Sequence, residues 1–231
     1  MQELTGKKTK RAVEYELDSF KQVTNELLEQ VTKQFPKDLD MAFIRFRDGI
    51  KNEIAVSKKL STKYDAAVIY SAPVEEIKTR PAKLPGTLRP AKITPSRARE
   101  IFMEQAIATM KRHKKRLTPR YVKETEQSQK ILFRKAEFLH LADDEGRNVL
   151  VVITRRNAYG PGTVNWFGWY YYDDNLPASF GTPLEKYILG WIKENFKGRL
   201  QTKGRTAFPE SQRDCRKWGL KPEMLVVYKI K

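Results

Sequence analysis

Residues 136–172 read AEFLHLADDEGRNVLVVITRRNAYGPGTVNWFGWYYY, and this stretch carries the clearest strand and turn signals in the chain. Asp143–Gly146 has the composition of a tight turn between two apolar runs, which predicts a β-hairpin. The second run, Val149–Ile153, is apolar at every position, as in a strand covered on both faces. A third strand is predicted over Val164–Tyr172, so the stretch predicts a small antiparallel sheet.

The next stretch, GTPLEKYILGWIKENF at residues 181–196, predicts an amphipathic helix. Thr182–Glu185 resembles a capping box with a proline in the first helical position. Gly198 is expected to end the helix. Its apolar face, expected to cover the sheet, consists of Leu184, Ile188, Trp191, Ile192 and Phe196.

The N-terminal part shows helical spacing on both sides of Pro36, which predicts a helical hairpin. The first apolar set is Leu17, Phe20, Val23, Leu27 and Val31, and the second is Leu39, Phe43, Phe46, Ile50 and Ile54. Two short strands, Tyr64–Tyr70 and Val74–Thr79, are predicted to follow.

The remaining elements flank the sheet. Thr94 and Pro95 supply an N-cap and a first-turn proline for a helix that continues to Met110. A short helix is predicted over Pro209–Trp218, and a last strand over Met224–Ile230.

A proline-rich basic segment marks the best domain boundary in the sequence. We expect a helical N-terminal region with a short hairpin at 1–78, a linker at 79–94 and a core domain at 95–231. The predicted fold class is α+β, with an N-terminal helical hairpin and a small antiparallel sheet packed against a C-terminal helix.

Composition narrows the choice of partner. The 231 residues include 45 Lys and Arg against 28 Asp and Glu, a net charge of +17, which favours nucleic acid or an acidic protein surface. Basic side chains that only keep the protein soluble are the alternative. No apolar run is long enough to cross a bilayer, so we expect a soluble protein that does not bind membranes. The single cysteine, Cys215, suits a reducing compartment.

Two clusters are candidate contact surfaces. The basic run at the end of the third predicted helix could bind phosphate or a carboxylate-rich partner, although a solvated face is the alternative. Its candidate contact residues are Lys111, Arg112, Lys114, Lys115 and Arg116. Strict alternation places Trp166, Tyr170 and Tyr172 together on one face of their strand, where a subunit interface or base stacking could use them.

Four residues resemble the PD-(D/E)xK nuclease pattern: Glu53, Asp65, Glu76 and Lys78. The resemblance implies that the three carboxylates hold magnesium and that the lysine stabilises charge on the phosphate. Outside this alternative we expect no cofactor and no metal site, because His113, His140 and Cys215 are far apart in sequence.

The stretch from about 106 to 222 resembles the tail-completion and head-to-tail joining proteins of tailed bacteriophages. The matching features are Leu117–Pro119, the strands within 136–172, Phe180–Pro183 and the helical Ile188–Ile192. The resemblance implies a structural, non-catalytic protein of the virion, assembled in the host cytoplasm as a ring near DNA, with copies of itself and neighbouring virion proteins as partners. A magnesium-dependent nuclease and a non-catalytic nucleic-acid-binding subunit are the alternatives.

Overall fold

The computed structural model describes residues 6–8, 12–113, 133, 136–159, 162–172 and 176–229. The strands in these residues are β1 (Lys7–Lys8), β2 (Val13–Leu17), β3 (Met41–Phe46), β4 (Ala66–Pro73), β5 (Arg89–Pro90), β6 (Ala136–Ala142), β7 (Asn148–Asn157), β8 (Thr163–Tyr172), β9 (Arg199–Arg205) and β10 (Lys221–Tyr228). The α-helices are α1 (Asn25–Lys33), α2 (Glu53–Ser57), α3 (Pro95–Arg112), α4 (Gly181–Asn195) and α5 (Pro209–Lys217).

The ten strands form one mixed sheet in the order β1-β2-β3-β10-β4-β9-β8-β7-β6-β5. Strands β2 and β3 run parallel, as do β8 and β9. The predicted fold class, a helical hairpin with a small antiparallel sheet, is therefore wrong. The region expected to form the second helix of the hairpin is instead strand β3, and the sheet has ten strands in the described residues.

Residue contacts divide the described chain into two compact units. The first unit takes its described residues from Met1–Ser71, His113–Glu124 and Lys203–Lys231, and the second from Ala72–Arg112 and Thr125–Thr202. The predicted division at 1–78, 79–94 and 95–231 stays a prediction.

The first unit is organised around β10, which lies between β3 and β4 and is antiparallel to both. Val226 shows this position, because it pairs with Phe43 on one side and with Ala67 on the other. Strand β4 is buried at every position except the last. The predicted last strand and the predicted short helix are confirmed as β10 and α5.

The second predicted N-terminal helix is wrong, because its centre is strand β3. Ala42, Ile44 and Phe46 lie on one face of β3 and Phe43 lies on the other, and all four are buried. A strand covered on both faces lacks apolar alternation, and its residues can then match helical spacing by chance. The predicted strand Val74–Thr79 is also wrong, because a 3₁₀ turn occupies Val74–Glu76.

The second unit contains the antiparallel β6, β7 and β8, which confirms the predicted hairpin and third strand. Helix α3 begins as predicted, with the Thr94 hydroxyl accepting the Arg97 N–H at 3.2 Å. It packs Ile101 and Phe102 against Leu150 and Val152 of β7.

Helix α4 starts two residues earlier than predicted and has a different N-terminus. It begins at Gly181 after a 3₁₀ turn at Ala178–Phe180, and no side chain caps it, so the predicted capping box is wrong. The predicted apolar face is confirmed at Leu184, Ile188 and Ile192, which are buried.

Candidate functional site

Strands β8 and β9 form a parallel ladder that ends early. Within the second unit, the register joins Asn165 to Leu200 and Trp166 to Gln201. At the next position the Thr202 hydroxyl donates a hydrogen bond to the Phe167 carbonyl at 2.8 Å. A side chain therefore satisfies the carbonyl where a continuing ladder would use a backbone N–H.

A β-bulge lies next to this point. Against β7, Phe167 pairs with Ile153 and Trp169 pairs with Val152, so Gly168 is an extra residue without an opposite partner. A bulge bends its strand and leaves one residue outside the ladder. The bulge also interrupts the strict alternation that the sequence predicted from Trp166 to Tyr172.

Buried amide side chains fix the start of the ladder. Asn165 is 9% exposed and donates to the Lys197 carbonyl at 2.7 Å and to the Arg199 carbonyl at 3.3 Å. Gln201 is 2% exposed and accepts the Tyr159 N–H at 3.0 Å. These bonds fix the start of the β8–β9 ladder, close to the position where its pairing stops.

An arginine covers the same end of β8. The Arg156 guanidinium lies 3.4 Å from the centre of the Trp166 ring and 4.9 Å from that of Tyr159. Trp166 is 4% exposed. This stack adds a cation–π interaction to the packing that holds the beginning of β8.

The connection from β8 to β9 passes through α4 and forms a βαβ unit. In such units the carboxyl end of the first strand and the N-terminus of the helix form a crevice suited to anions. No side chain caps the first turn of α4, although the Gly181 N–H already donates to the Ala178 carbonyl of the preceding 3₁₀ turn. Together, Gly168–Tyr172 and the start of α4 define a candidate site, which we call the β8 edge.

A separate buried cluster in the first unit surrounds Glu53, which is 1% exposed. The carboxylate accepts hydrogen bonds from the Tyr70 hydroxyl at 3.0 Å and from Arg216 Nη2 at 2.7 Å, and Arg216 Nε is also bonded to it. Burial acts to raise the pKa of Glu53, but hydrogen bonding and charge from Arg216 outweigh it and hold that pKa below its ordinary value. Glu53 is therefore ionised and already paired.

Neighbouring contacts bind α2 to α5. Gln212 Nε2 donates to the Ser57 hydroxyl at 2.8 Å, and both side chains are buried. Cys215 is buried in the same region, and this burial raises the pKa of its thiol. A thiol in this state is a poor nucleophile, so Cys215 is not a candidate catalytic residue.

The residues of the nuclease pattern do not form a metal centre. Glu53 pairs with Arg216, and Asp65 pairs with Arg205. Glu76 ends the 3₁₀ turn and, like Lys78, is exposed. Within the described part of the chain, no group of three or more His, Cys, Asp or Glu is placed to hold a metal ion.

The predicted contact surfaces are partly described. Lys111 and Arg112 are exposed in the last turn of α3, whereas Lys114, Lys115 and Arg116 lie outside the described residues. The side chains of Tyr170 and Tyr172, and the Leu117–Pro119 motif, also lie outside them. The contact roles proposed from sequence stay predictions.

Sequence reasoning missed the residues that shape the β8 edge, namely Asn165, Gly168, Gln201 and Thr202. One signal was available, because a glycine inside an aromatic strand often marks a bulge. The polar residues of β9 gave no such signal. Among the described helices, none is long and apolar enough to span a bilayer.

Comparison with protein-family models finds no match, and comparison with curated proteins finds none. Several solved structures match at low identity. A tandem GNAT protein from the clavulanic acid biosynthesis pathway is 12% identical over 88% of this chain and 66% of its own, with a TM-score of 0.43. The C-terminal DUF2156 domain of a putative lysylphosphatidylglycerol synthetase from Agrobacterium fabrum is 11% identical over 97% and 79%, with a TM-score of 0.39. A functionally unknown protein from Staphylococcus epidermidis is 9% identical over 95% and 84%, with a TM-score of 0.47.

The tandem GNAT protein and the synthetase domain have GNAT-like acyltransferase folds, and neither is a phage tail or nuclease protein. The expectation of a tail-completion or head-to-tail joining protein is therefore wrong. The same finding makes the nuclease and nucleic-acid-binding alternatives wrong. The expected location in a virion is wrong as well.

Proposed function

We propose that this protein is an acyltransferase whose second unit binds an acyl thioester donor along the β8 edge. The observation that carries the proposal is the early end of the β8–β9 ladder, where the Thr202 hydroxyl meets the Phe167 carbonyl beside the bulge at Gly168. A strand edge that is left unpaired offers backbone N–H and C=O groups to an extended ligand.

The chemistry of the edge favours a donor with amides along an extended arm and phosphates at one end. Amides in an extended arm can pair with a strand edge as an added strand does. Phosphates suit the start of α4, because the helix dipole favours negative charge there and no side chain caps the first turn. A thioester of coenzyme A has both features, with the reactive carbonyl at the opposite end from the nucleotide.

Acyl transfer from such a donor needs positioning and stabilisation of charge. The acceptor, for which an amine is the simplest choice, forms a bond to the thioester carbonyl carbon, and the carbon–sulfur bond breaks. The thiolate leaves with the electron pair, and the amine proton passes to solvent. A backbone N–H that the bulge frees from the ladder could donate to the oxygen of the tetrahedral intermediate.

The experiment is calorimetric titration of the full chain with coenzyme A and acetyl coenzyme A. The test variant is Gly168→Val, which alters the bulge, where a Cβ would lie 3.4 Å from Trp166 Cδ1. The matched control is Gly190→Val in α4, where a Cβ meets nothing within 4 Å. We expect Gly168→Val to weaken binding about tenfold or more, because it changes the direction of the backbone groups along the β8 edge. The control should change the affinity less than about twofold.

Two results would contradict the proposal. One is that the folded wild-type chain binds neither compound at millimolar concentration. The other is that Gly168→Val, folded by its thermal melting curve, binds as tightly as Gly190→Val.

A further inference from the structure

The first unit contains an open cavity of about 840 Å³ that the β8 edge does not use. Its walls come from the continuous segment 50–59 and from Arg216 of α5. A cavity of this size is in the range that holds a small organic molecule.

The charges on the cavity wall are strongly unbalanced. Four cationic residues line it, Lys51, Lys58, Lys59 and Arg216, against one carboxylate, Glu53, so the formal sum is four minus one, or +3. Glu53 is already paired with Arg216, and the three lysines are exposed and form no ion pair with any described residue. A concave site lined by charges of one sign concentrates counter-ions of the opposite sign.

Arg216 is held in place before any ligand arrives. Its Nε and Nη2 bond to the buried Glu53 carboxylate, and Tyr70 fixes the same carboxylate from within the core. Among the described residues Nη1 has no partner, and the side chain is 43% exposed. A guanidinium that is already ordered loses little entropy when it binds, and its planar donors match phosphate oxygens.

We propose that this cavity binds a small phosphorylated molecule, with Arg216 and the three lysines contacting its phosphate oxygens. The Arg216 guanidinium would orient the bound phosphate, because its own position is fixed by Glu53. The lysines add charge on flexible stems and can follow phosphates of different spacing. This inference concerns a different unit from the proposed acyl donor and does not depend on it.

The experiment is calorimetric titration of the full chain with inorganic pyrophosphate and with inorganic phosphate at low ionic strength. The first variant replaces the cavity lysines together: Lys51→Gln, Lys58→Gln and Lys59→Gln. The matched control makes the same change in charge at exposed lysines elsewhere: Lys37→Gln, Lys92→Gln and Lys197→Gln. We expect the cavity variant to bind pyrophosphate about tenfold more weakly or worse, and the control to lose less than about twofold.

A second variant tests the arginine without leaving a buried charge unpaired, because Glu53→Gln and Arg216→Gln are made together. This variant should also lose binding while Gly168→Val retains it, which separates this site from the β8 edge. Equal losses in the two lysine variants would overturn the proposal, since net charge alone would then explain binding. The proposal would also be overturned if the wild type did not bind pyrophosphate at a ligand concentration of about 10 mM. A dissociation constant above that concentration would be too weak for a metabolite site.

Discussion

Removal of Arg216 should destabilise the first unit strongly, because it leaves the Glu53 carboxylate buried and uncompensated. Breaking one side of a buried ion pair costs about 3–5 kcal/mol. The lower end, about 3 kcal/mol, applies here because the Arg216 side chain is 43% exposed while Glu53 is 1% exposed. For a chain of this length that loss lowers the melting temperature by about 6–12 °C.

The loss should depend on pH in a defined direction. In the wild type the pKa of Glu53 is below its ordinary value, so its stabilising contribution is present above the unfolded-state pKa and is lost as pH falls through the folded-state pKa. In Arg216→Leu, burial without the guanidinium raises the pKa of Glu53, and the carboxyl is protonated more readily. The difference in melting temperature should therefore be large at pH 7 and should shrink as the pH is lowered below the ordinary range for glutamate.

Calorimetric melting at several pH values measures this difference. Arg213→Leu is the matched control, because Arg213 is exposed on the same helix and the substitution changes the charge equally. The variant carrying both Glu53→Gln and Arg216→Leu should recover much of the loss, since no buried charge remains. A melting temperature for Arg216→Leu that matches Arg213→Leu at pH 7, or a loss that does not change with pH, would refute the reasoning.

Three further predictions each concern a single position. Gly86→Ala should destabilise the protein by about 1–2 kcal/mol in thermal or urea unfolding, because Gly86 has φ +59° and a Cβ there would lie within van der Waals overlap of the Phe180 ring. Gly190→Ala should instead stabilise the protein by about 0.5–1 kcal/mol, because a Cβ at this helical position meets nothing within 4 Å and alanine favours a helix. Equal effects of Gly86→Ala and Gly190→Ala on stability would contradict this account. Cys215 should react slowly with a thiol reagent in the native protein and rapidly in denaturant, because burial raises its pKa; rapid native labelling would show that the site opens.

Local signals in the sequence predicted several elements correctly. Thr94 and Pro95 mark the start of α3, and the turn at Asp143–Gly146 joins two strands as expected. These signals depend on neighbouring residues only. Strand β3 was misread as a helix because it has buried apolar residues on both faces, and β10, which pairs along one of its edges, lies far away in sequence.

The candidate sites depend on longer-range information. Glu53 and Arg216 are separated by 163 residues, and nothing near either one indicates their pairing. The early end of the β8–β9 ladder depends on the Thr202 hydroxyl, in a strand of mixed polarity that has no clear apolar pattern. Only Gly168 could have been recognised from its neighbours, because a glycine among aromatic residues in a strand indicates a bulge.

The position of β10 has a consequence for the order in which the protein can fold during synthesis. Strands β3 and β4 both pair with β10, and β10 follows the end of β4 by about 150 residues. A ribosome adding about 5–20 residues each second therefore leaves these two apolar strands without that partner for several seconds or more. During that time each of the two strands has an edge without its native partner, which another strand could pair with. The first unit is completed only after translation has passed residue 228.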